Sequence, residues 1–366
     1  MAVKNNKMGA WPMTTYVRPR WDRRRPARRA KEGRWAHTYA AIDLGTNNCR
    51  LLIARPTRSG FRVIDAFSRI VRLGEGVSES GRLSDDAMDR TIEALKICAD
   101  KMRRRGVDRR RNVATDACRR ANNGEFFLER VVQETGVALE TITAGEEARL
   151  ALNGCLPLIE KKAPHALVFD IGGGSTEVML MDARKGASDI TGWISLPYGV
   201  VNLSERYGGG ALSVETYNSM VAEVDEHLQP FCKQHHIAAM VRRDEVQLLG
   251  TSGTVTTLTG VHLGLPRYDR SVVDGAFLQF DDIRDMSDRL RAQDCVGRAA
   301  HPCIGDERAD LVVAGCAILE AICRRWPIGQ LRVADRGLRE GILHDLIRDA
   351  DHESKGRDGS EKHNPN

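Results

Sequence analysis

"DLGTNNCRLLIA", Asp43–Ala54, and "DIGGGSTEVMLM", Asp170–Met181, are one device written twice. Each closes an apolar strand on an Asp, passes through a Gly and five small or polar residues, then enters a second apolar strand. The interval between the two Asp residues is 127 residues, about the length of one domain. One such stretch could be only the bend of a hairpin with an Asp capping the turn. Two at domain spacing point to related halves, each opened by the same strand–turn–strand unit.

The turns have a chemistry. Glycine lets backbone approach a ligand closely, and successive N–H groups in such a turn form a nest for an anion. Asp43 and Asp170 would face the same bound phosphate, which like charge forbids unless a hard divalent cation such as Mg²⁺ sits between them. A third small-residue turn, "LLGTSGTVTTL" (248–258), ends a strand and opens a helix with Gly253 and Thr254, where amides favour an anion. No Lys follows its glycines, so it is not a P-loop.

Around these turns the chain alternates strands and helices. Residues 39–43, 50–55 and 61–73 read as antiparallel strands. Ser84 caps a helix whose stripe is Met88, Ile92, Leu95, Ala99 and Met102, stopped by Gly106. Strands at 112–115 and 138–143 and helices at 124–136 and 145–155 complete the first half. After Leu196 come a helix at 214–235, strand 246–250, helix 252–263, and final helices at 308–325 and 336–348. Glu146 and Glu147 open the 145–155 helix, where the dipole favours acids; about 100° apart, only one can face a cleft. Arg119 and Arg120 of "ATDACRR" (114–120) end a strand, as solvated surface residues or as a phosphate clamp.

Composition sets the limits. The 366 residues, 42% hydrophobic with 34 Gly, suit a two-domain globular α/β chain. No apolar run is long enough for a membrane span and no signal-peptide pattern is present, so the expectation is a cytoplasmic protein. Nine scattered cysteines without a CxxC read as reduced, small apolar residues. The net charge of +5 is uneven: residues 1–35 hold 11 Lys/Arg against Asp22 and Glu32, a net of +9, which leaves −4 elsewhere. Residues 1–36 read as a disordered basic tail: a polyanion- or RNA-binding arm, or more plainly a solvated extension, an early start ahead of Met8 or Met13, or a cleaved presequence. Residues 350–366 read as a disordered polar tail.

The motifs "AIDLGTNNCRLLIA", "ATDACRRA", "AGEEARL", "VFDIGGGSTEVML", "SLPYGVVNLSERY", "GTSGTVTTLT" and "ERADLVVAGCAILEAI…VADRGLREGIL" occur in the order seen in the Ppx/GppA phosphatases, exopolyphosphatases and guanosine pentaphosphate phosphohydrolases. The resemblance covers about residues 39–345 and is to the short form without the C-terminal HD-type helical region. It implies the actin-like ATPase superfamily fold: two ribonuclease-H-like domains, at 37–163 and 164–349, with a cleft between them and the last helix (336–349) packed back on the first. It implies a homodimer, and polyphosphate or pppGpp as substrate. It puts the catalytic glutamate on Glu147, carboxylates for Mg²⁺ (or Mn²⁺) on Asp43, Asp170 and Glu177, and the family's motif arginine on Arg119. The phosphate-binding set is then Gly45, Thr46, Asn47, Arg119, Gly172, Gly173, Gly174, Ser175, Gly253 and Thr254. The sequence departs from the family's pattern at Asp274, where many members have His, which bears on substrate preference, and at Asn48 and Cys49. Rival readings on the same fold are an ATPase or kinase, and a non-catalytic alarmone or polyphosphate sensor.

Overall fold

The computed structural model describes residues 34–184 and 190–360. The basic tail, up to residue 33, and residues 361–366 lie outside the described residues; Arg34–Ala36 form a single 3₁₀ turn.

The first half is a five-stranded sheet of β1 (Tyr39–Leu44), β2 (Asn48–Thr57), β3 (Gly60–Ile70), β4 (Arg109–Ala114) and β5 (Glu140–Thr141), in the order β3-β2-β1-β4-β5. β1, β2 and β3 are antiparallel neighbours, while β4 and β5 run parallel to β1 and β4. Its helices are α1 (Val77–Ser80), α2 (Asp85–Arg104), α3 (Asp116–Arg120), α4 (Gly124–Thr135) and α5 (Ala144–Cys155). Ser84 caps α2 by accepting from the Ala87 amide, and Met88, Ile92, Leu95 and Met102 bury its stripe against the sheet. β5 is shorter than the expected 138–143 strand. The carbonyls on either side of it go to side chains: Ala138 O accepts from Asn112 and Ile142 O from Arg119.

The second half repeats the plan. Its strands are β6 (His165–Ile171), β7 (Thr176–Asp182), β8 (Ile190–Leu196), β9 (Val246–Thr251), β10 (Phe277–Gln279) and β11 (Gln330–Ala334), ordered β10-β11-β9-β6-β7-β8. β6, β7 and β8 match β1, β2 and β3 in direction, and β9 and β11 match β4 and β5; β10 is an added antiparallel edge. The helices are α6 (Val200–Tyr207), α7 (Val214–Gln234), α8 (Ile237–Arg242), α9 (Gly253–His262), α10 (Arg270–Val273), α11 (Phe280–Ala292), α12 (Cys295–Ala299), α13 (Val312–Arg325) and α14 (Leu338–Ser360). The architecture is α/β, with two mixed sheets built on one plan.

Two helices join the halves. α5 turns Leu150 toward the first sheet and Ala148, Leu152 and Cys155 toward the second. α14 buries Leu338, Ile342, Leu343 and Ile347 on the outer face of the first sheet, beside Leu150. The two helices cross backbone to backbone: a Cβ on Gly154 would lie 2.0 Å from Gly337 O, and one on Gly341 2.0 Å from Leu150 O. No larger residue fits either place.

α14 begins later and ends later than expected. Glu340 reaches back to the Gly337 amide at 3.0 Å, which fixes the start. The expected disordered tail is corrected over 350–360, which continue the helix. Ion pairs carry it on: Arg34 to Asp351 at 3.2 Å, and Arg109 to Glu353 at 2.6 Å.

Candidate active site

The two repeated turns have the same backbone geometry. Gly45 N donates to Asn48 O, and Gly172 N to Ser175 O, each at 2.9 Å. They meet face to face: a Cβ on Gly173 would lie 2.9 Å from Thr46 Cβ, and one on Gly174 2.1 Å from Asp116 Oδ2. The second turn is fixed from behind by α6. Val200 N and Val201 N donate to the carbonyls of Gly172 and Gly173 at 3.0 and 2.8 Å, and Asn202 Nδ2 donates to Gly174 O at 2.8 Å. The carbonyls are thus used up, while the amides of Thr46, Asn47, Gly173 and Gly174 find no acceptor among the described residues.

Between the turns lies a cavity of about 120 Å³, joined to a rear cavity of about 350 Å³. Asp43, Arg50, Asp170, Ser252, Gly253 and Arg308 line both. Gly45, Thr46, Asn47, Gly172, Gly173, Gly174, Ser175, Thr254, Glu147 and Glu177 line the front one, so nearly all the expected site residues converge there.

Arg119 is the exception. Its Nη1 donates to Glu147 Oε2 at 2.8 Å and to Ile142 O at 2.9 Å, behind the cavity wall. The guanidinium expected to clamp phosphate is committed to the acid beside it. Arg50 and Arg308 line both cavities, and Arg336 and Arg339 line the rear one.

The adjacent acids of α5 divide as helix geometry requires. Glu147 faces the cavity, whereas Glu146 is held by Arg111 Nη1 at 2.8 Å and Arg149 Nε at 2.8 Å. Thr143 caps this helix through the Glu146 amide and so sets where both point.

Five carboxylates line the front cavity, Asp43, Asp116, Glu147, Asp170 and Glu177. Burial pushes Asp43 above its ordinary value, and burial together with the Asp43 charge pushes Asp170 up to about 6. Glu177, 2% exposed, is pushed up to about 7 by burial, against hydrogen bonds from Ser175 Oγ at 2.7 Å and Ser195 Oγ at 2.8 Å. Burial and the Glu177 charge drive Glu147 well up, opposed by Arg119. Such a set is unfavourable in isolation and is relieved by a divalent cation. Among the described residues, no three His, Cys, Asp or Glu side chains converge tightly enough to form a closed metal centre by themselves.

Orphaned polar atoms mark the same place. Among the described residues nine buried side-chain atoms have no partner, and three of them, Asn47 Oδ1, Asn48 Oδ1 and Ser252 Oγ, belong to residues lining the front cavity. Buried polar atoms left unpaired call for a ligand or water. Ser252 also holds φ at 99°, a strained backbone for a non-glycine residue, at the junction of β9 and α9.

Ser252 was expected only as a backbone donor at the start of α9, and Ser195, Arg308 and Arg50 were not among the residues expected from sequence. Only Arg50 carried a signal. Asp43 pairs with Arg50 across β1 and β2 as Asp170 pairs with Glu177 across β6 and β7, so superposing the repeats places Arg50 on Glu177.

Two repeated sheets whose glycine-led turns meet over buried acids form a site whose free amides suit an anionic group such as phosphate. The chain belongs to the Ppx/GppA phosphatase family, whose model matches residues 52–350. It is 31% identical over 321 residues to exopolyphosphatase 2 of Mycobacterium tuberculosis, covering 84% of this chain and 98% of that protein. The crystal structure of the Aquifex aeolicus family member superposes with a TM-score of 0.71 at 30% identity, over 86% of this chain and 99% of that one. An exopolyphosphatase-like protein of known structure gives 0.79 at 31% identity, over 86% and 98%.

Proposed function

We propose that this chain hydrolyses the terminal phosphoanhydride of inorganic polyphosphate, of pppGpp or of both, releasing orthophosphate with the help of Mg²⁺ or Mn²⁺. The observation that carries this reading is the convergence of two glycine-led turns, with free amides, on one buried set of acids. The similarity to a protein named exopolyphosphatase 2 supports the substrate class.

Asp43, Asp170 and Glu177 would hold the cation, some of them through water, and it would supply positive charge to the non-bridging oxygens. The free amides of Thr46, Asn47, Gly173 and Gly174 bind the terminal phosphate, joined by the N-terminus of α9 at Gly253 and Thr254. Glu147, on the opposite wall, orients the attacking water and accepts its proton. Arg119 holds Glu147 by the bond at 2.8 Å. Arg50 and Arg308 carry positive charge from the turns into the rear cavity, where the remainder of a polyanionic substrate extends.

The test is orthophosphate release from long-chain polyphosphate, pppGpp and ATP in parallel, with Mg²⁺ and with EDTA. Metal-dependent release from either of the first two, with ATP poor, is expected. Release from ATP alone would favour an ATPase, and tight binding without release would favour a sensor. Repeating the assay without residues 1–33 tests whether the basic segment contributes to polyanion capture.

A further inference from the structure

Asp274 and Arg336 form a bidentate pair at the edge of the rear cavity. Asp274 Oδ1 accepts from the Asp335 amide at 3.0 Å and from Arg336 Nε at 3.1 Å. Oδ2 accepts from Arg336 Nε at 3.1 Å and also from Nη2. The carboxylate cannot drift. Asp274 ends α10, and Gly275, at φ 91°, turns the chain so that its amide donates to Val333 O at 2.8 Å. Both ends of the pair are thereby fixed to β11.

Four arginines, Arg50, Arg308, Arg336 and Arg339, line that cavity together with Asp43, Asp170, Asp335 and Glu340. Of these acids, Glu340 is already paired with Arg270 at 2.8 Å and Asp335 accepts from Tyr268 at 2.6 Å. Arg50 and Arg339 make no hydrogen bond and no ion pair among the described residues, and Arg308 spends one nitrogen on Thr257 Oγ1 at 3.0 Å. Three guanidiniums are thus open to a ligand, and one is closed by a partly buried carboxylate in the strong bidentate geometry.

We propose that Asp274 is a specificity-determining positioning residue, which holds Arg336 away from the ligand and so limits how tightly the rear cavity grips a polyanionic chain. This rests on the reading that the cavity receives the remainder of the substrate. A chain shortened one phosphate at a time must slide after each cleavage, and every additional fixed cation slows that sliding. Asp274, where His would offer a single acceptor nitrogen, cancels one cation completely.

The test is Asp274→Asn, which keeps an acceptor for the Asp335 amide but removes the charge and the second strong acceptor. The KM for long-chain polyphosphate should fall about three- to tenfold, as expected for one cation released in a partly desolvated cleft, with a smaller change in kcat. The salt dependence of affinity should steepen by about one counterion. The double variant Asp274→Asn/Arg336→Met should lose the gain. Metal-free binding of labelled long-chain polyphosphate, followed by fluorescence anisotropy, should rank the three proteins in the same way. An Asp274→Asn protein with wild-type KM, anisotropy and salt slope, changed only in melting temperature, makes the pair merely structural and overturns the proposal. Absence of phosphate release by the wild type would sink the functional reading instead, and the anisotropy series would still decide this one.

Discussion

Arg119 donates to Glu147 at 2.8 Å, so the acid proposed as the base is restrained by an arginine that does not itself line the cavity. The arrangement has a direct electrostatic meaning. Arg119 favours the ionised form of Glu147, against burial and the neighbouring Glu177, which favour the protonated one.

Replacing Arg119 with Met should therefore raise the Glu147 pKa further. The acid limb of the pH–rate profile moves to higher pH, and activity near neutrality drops roughly tenfold, recovering in part under alkaline conditions. An acid limb that stays in place while the rate falls would show that Arg119 acts through structure alone.

Glu146→Gln and Glu147→Gln should separate cleanly. Glu147→Gln removes the proton acceptor and should cost about 100-fold or more in kcat with substrate binding kept. Glu146→Gln breaks the contacts with Arg111 and Arg149 and should cost roughly 1–3 kcal/mol in stability with catalysis retained. Wild-type phosphate release by the Glu147→Gln protein would remove it from the mechanism.

Without metal, the protein should grow less stable as pH rises. Asp170 and Glu177 are held at about 6 and about 7, above their ordinary 3.8 and 4.5. A raised acid contributes stability that is present below its unfolded value and lost as pH climbs through the folded one. The loss is on the order of a few kcal/mol, because each tenfold change in proton affinity is worth about 1.4 kcal/mol. In EDTA, the melting temperature at about pH 5.5 should exceed that at about pH 8 by several degrees, and Mg²⁺ should close the gap. A melting temperature in EDTA that rises across this interval would contradict the assignment of the buried acids.

Gly341→Ala should destabilise by about 2–4 kcal/mol, since its methyl group would collide with Leu150 O on α5. Because α5 carries Glu147, kcat should fall along with the melting temperature. An unperturbed melting curve would mean that α5 and α14 can part at their crossing without cost.

Much of this was legible because local rules and global fold agree. The strand–turn–strand repeat, the Ser84 cap and the stripe of α2 all follow from period and turn chemistry. Asp43, Asp170 and the glycine turns could be found because a carboxylate closing a strand before a bare turn is locally expensive. What escaped the sequence depends on tertiary contacts. Whether Arg119 faces a phosphate or a glutamate is decided by α5, 28 residues on. Ser252 resembles any serine before a helix until its backbone at φ 99° and its orphaned hydroxyl are seen. Arg308, expected as the first residue of a helix over 308–325, lies in the turns before α13, which starts only at Val312. The end of α14 was misplaced because its last turns are held by Arg34 and Arg109, distant in sequence.

The placement of Glu147 on α5 also has a mechanical side. The helix belongs to both sheets, and it touches α14 where two backbones leave no slack. A rotation of one sheet against the other about that crossing would sweep the outer loops through the longest arc and move α5 least. A cleft that opened to admit a bulky ligand would then do so like a pair of pliers, with Glu147 mounted close to the rivet.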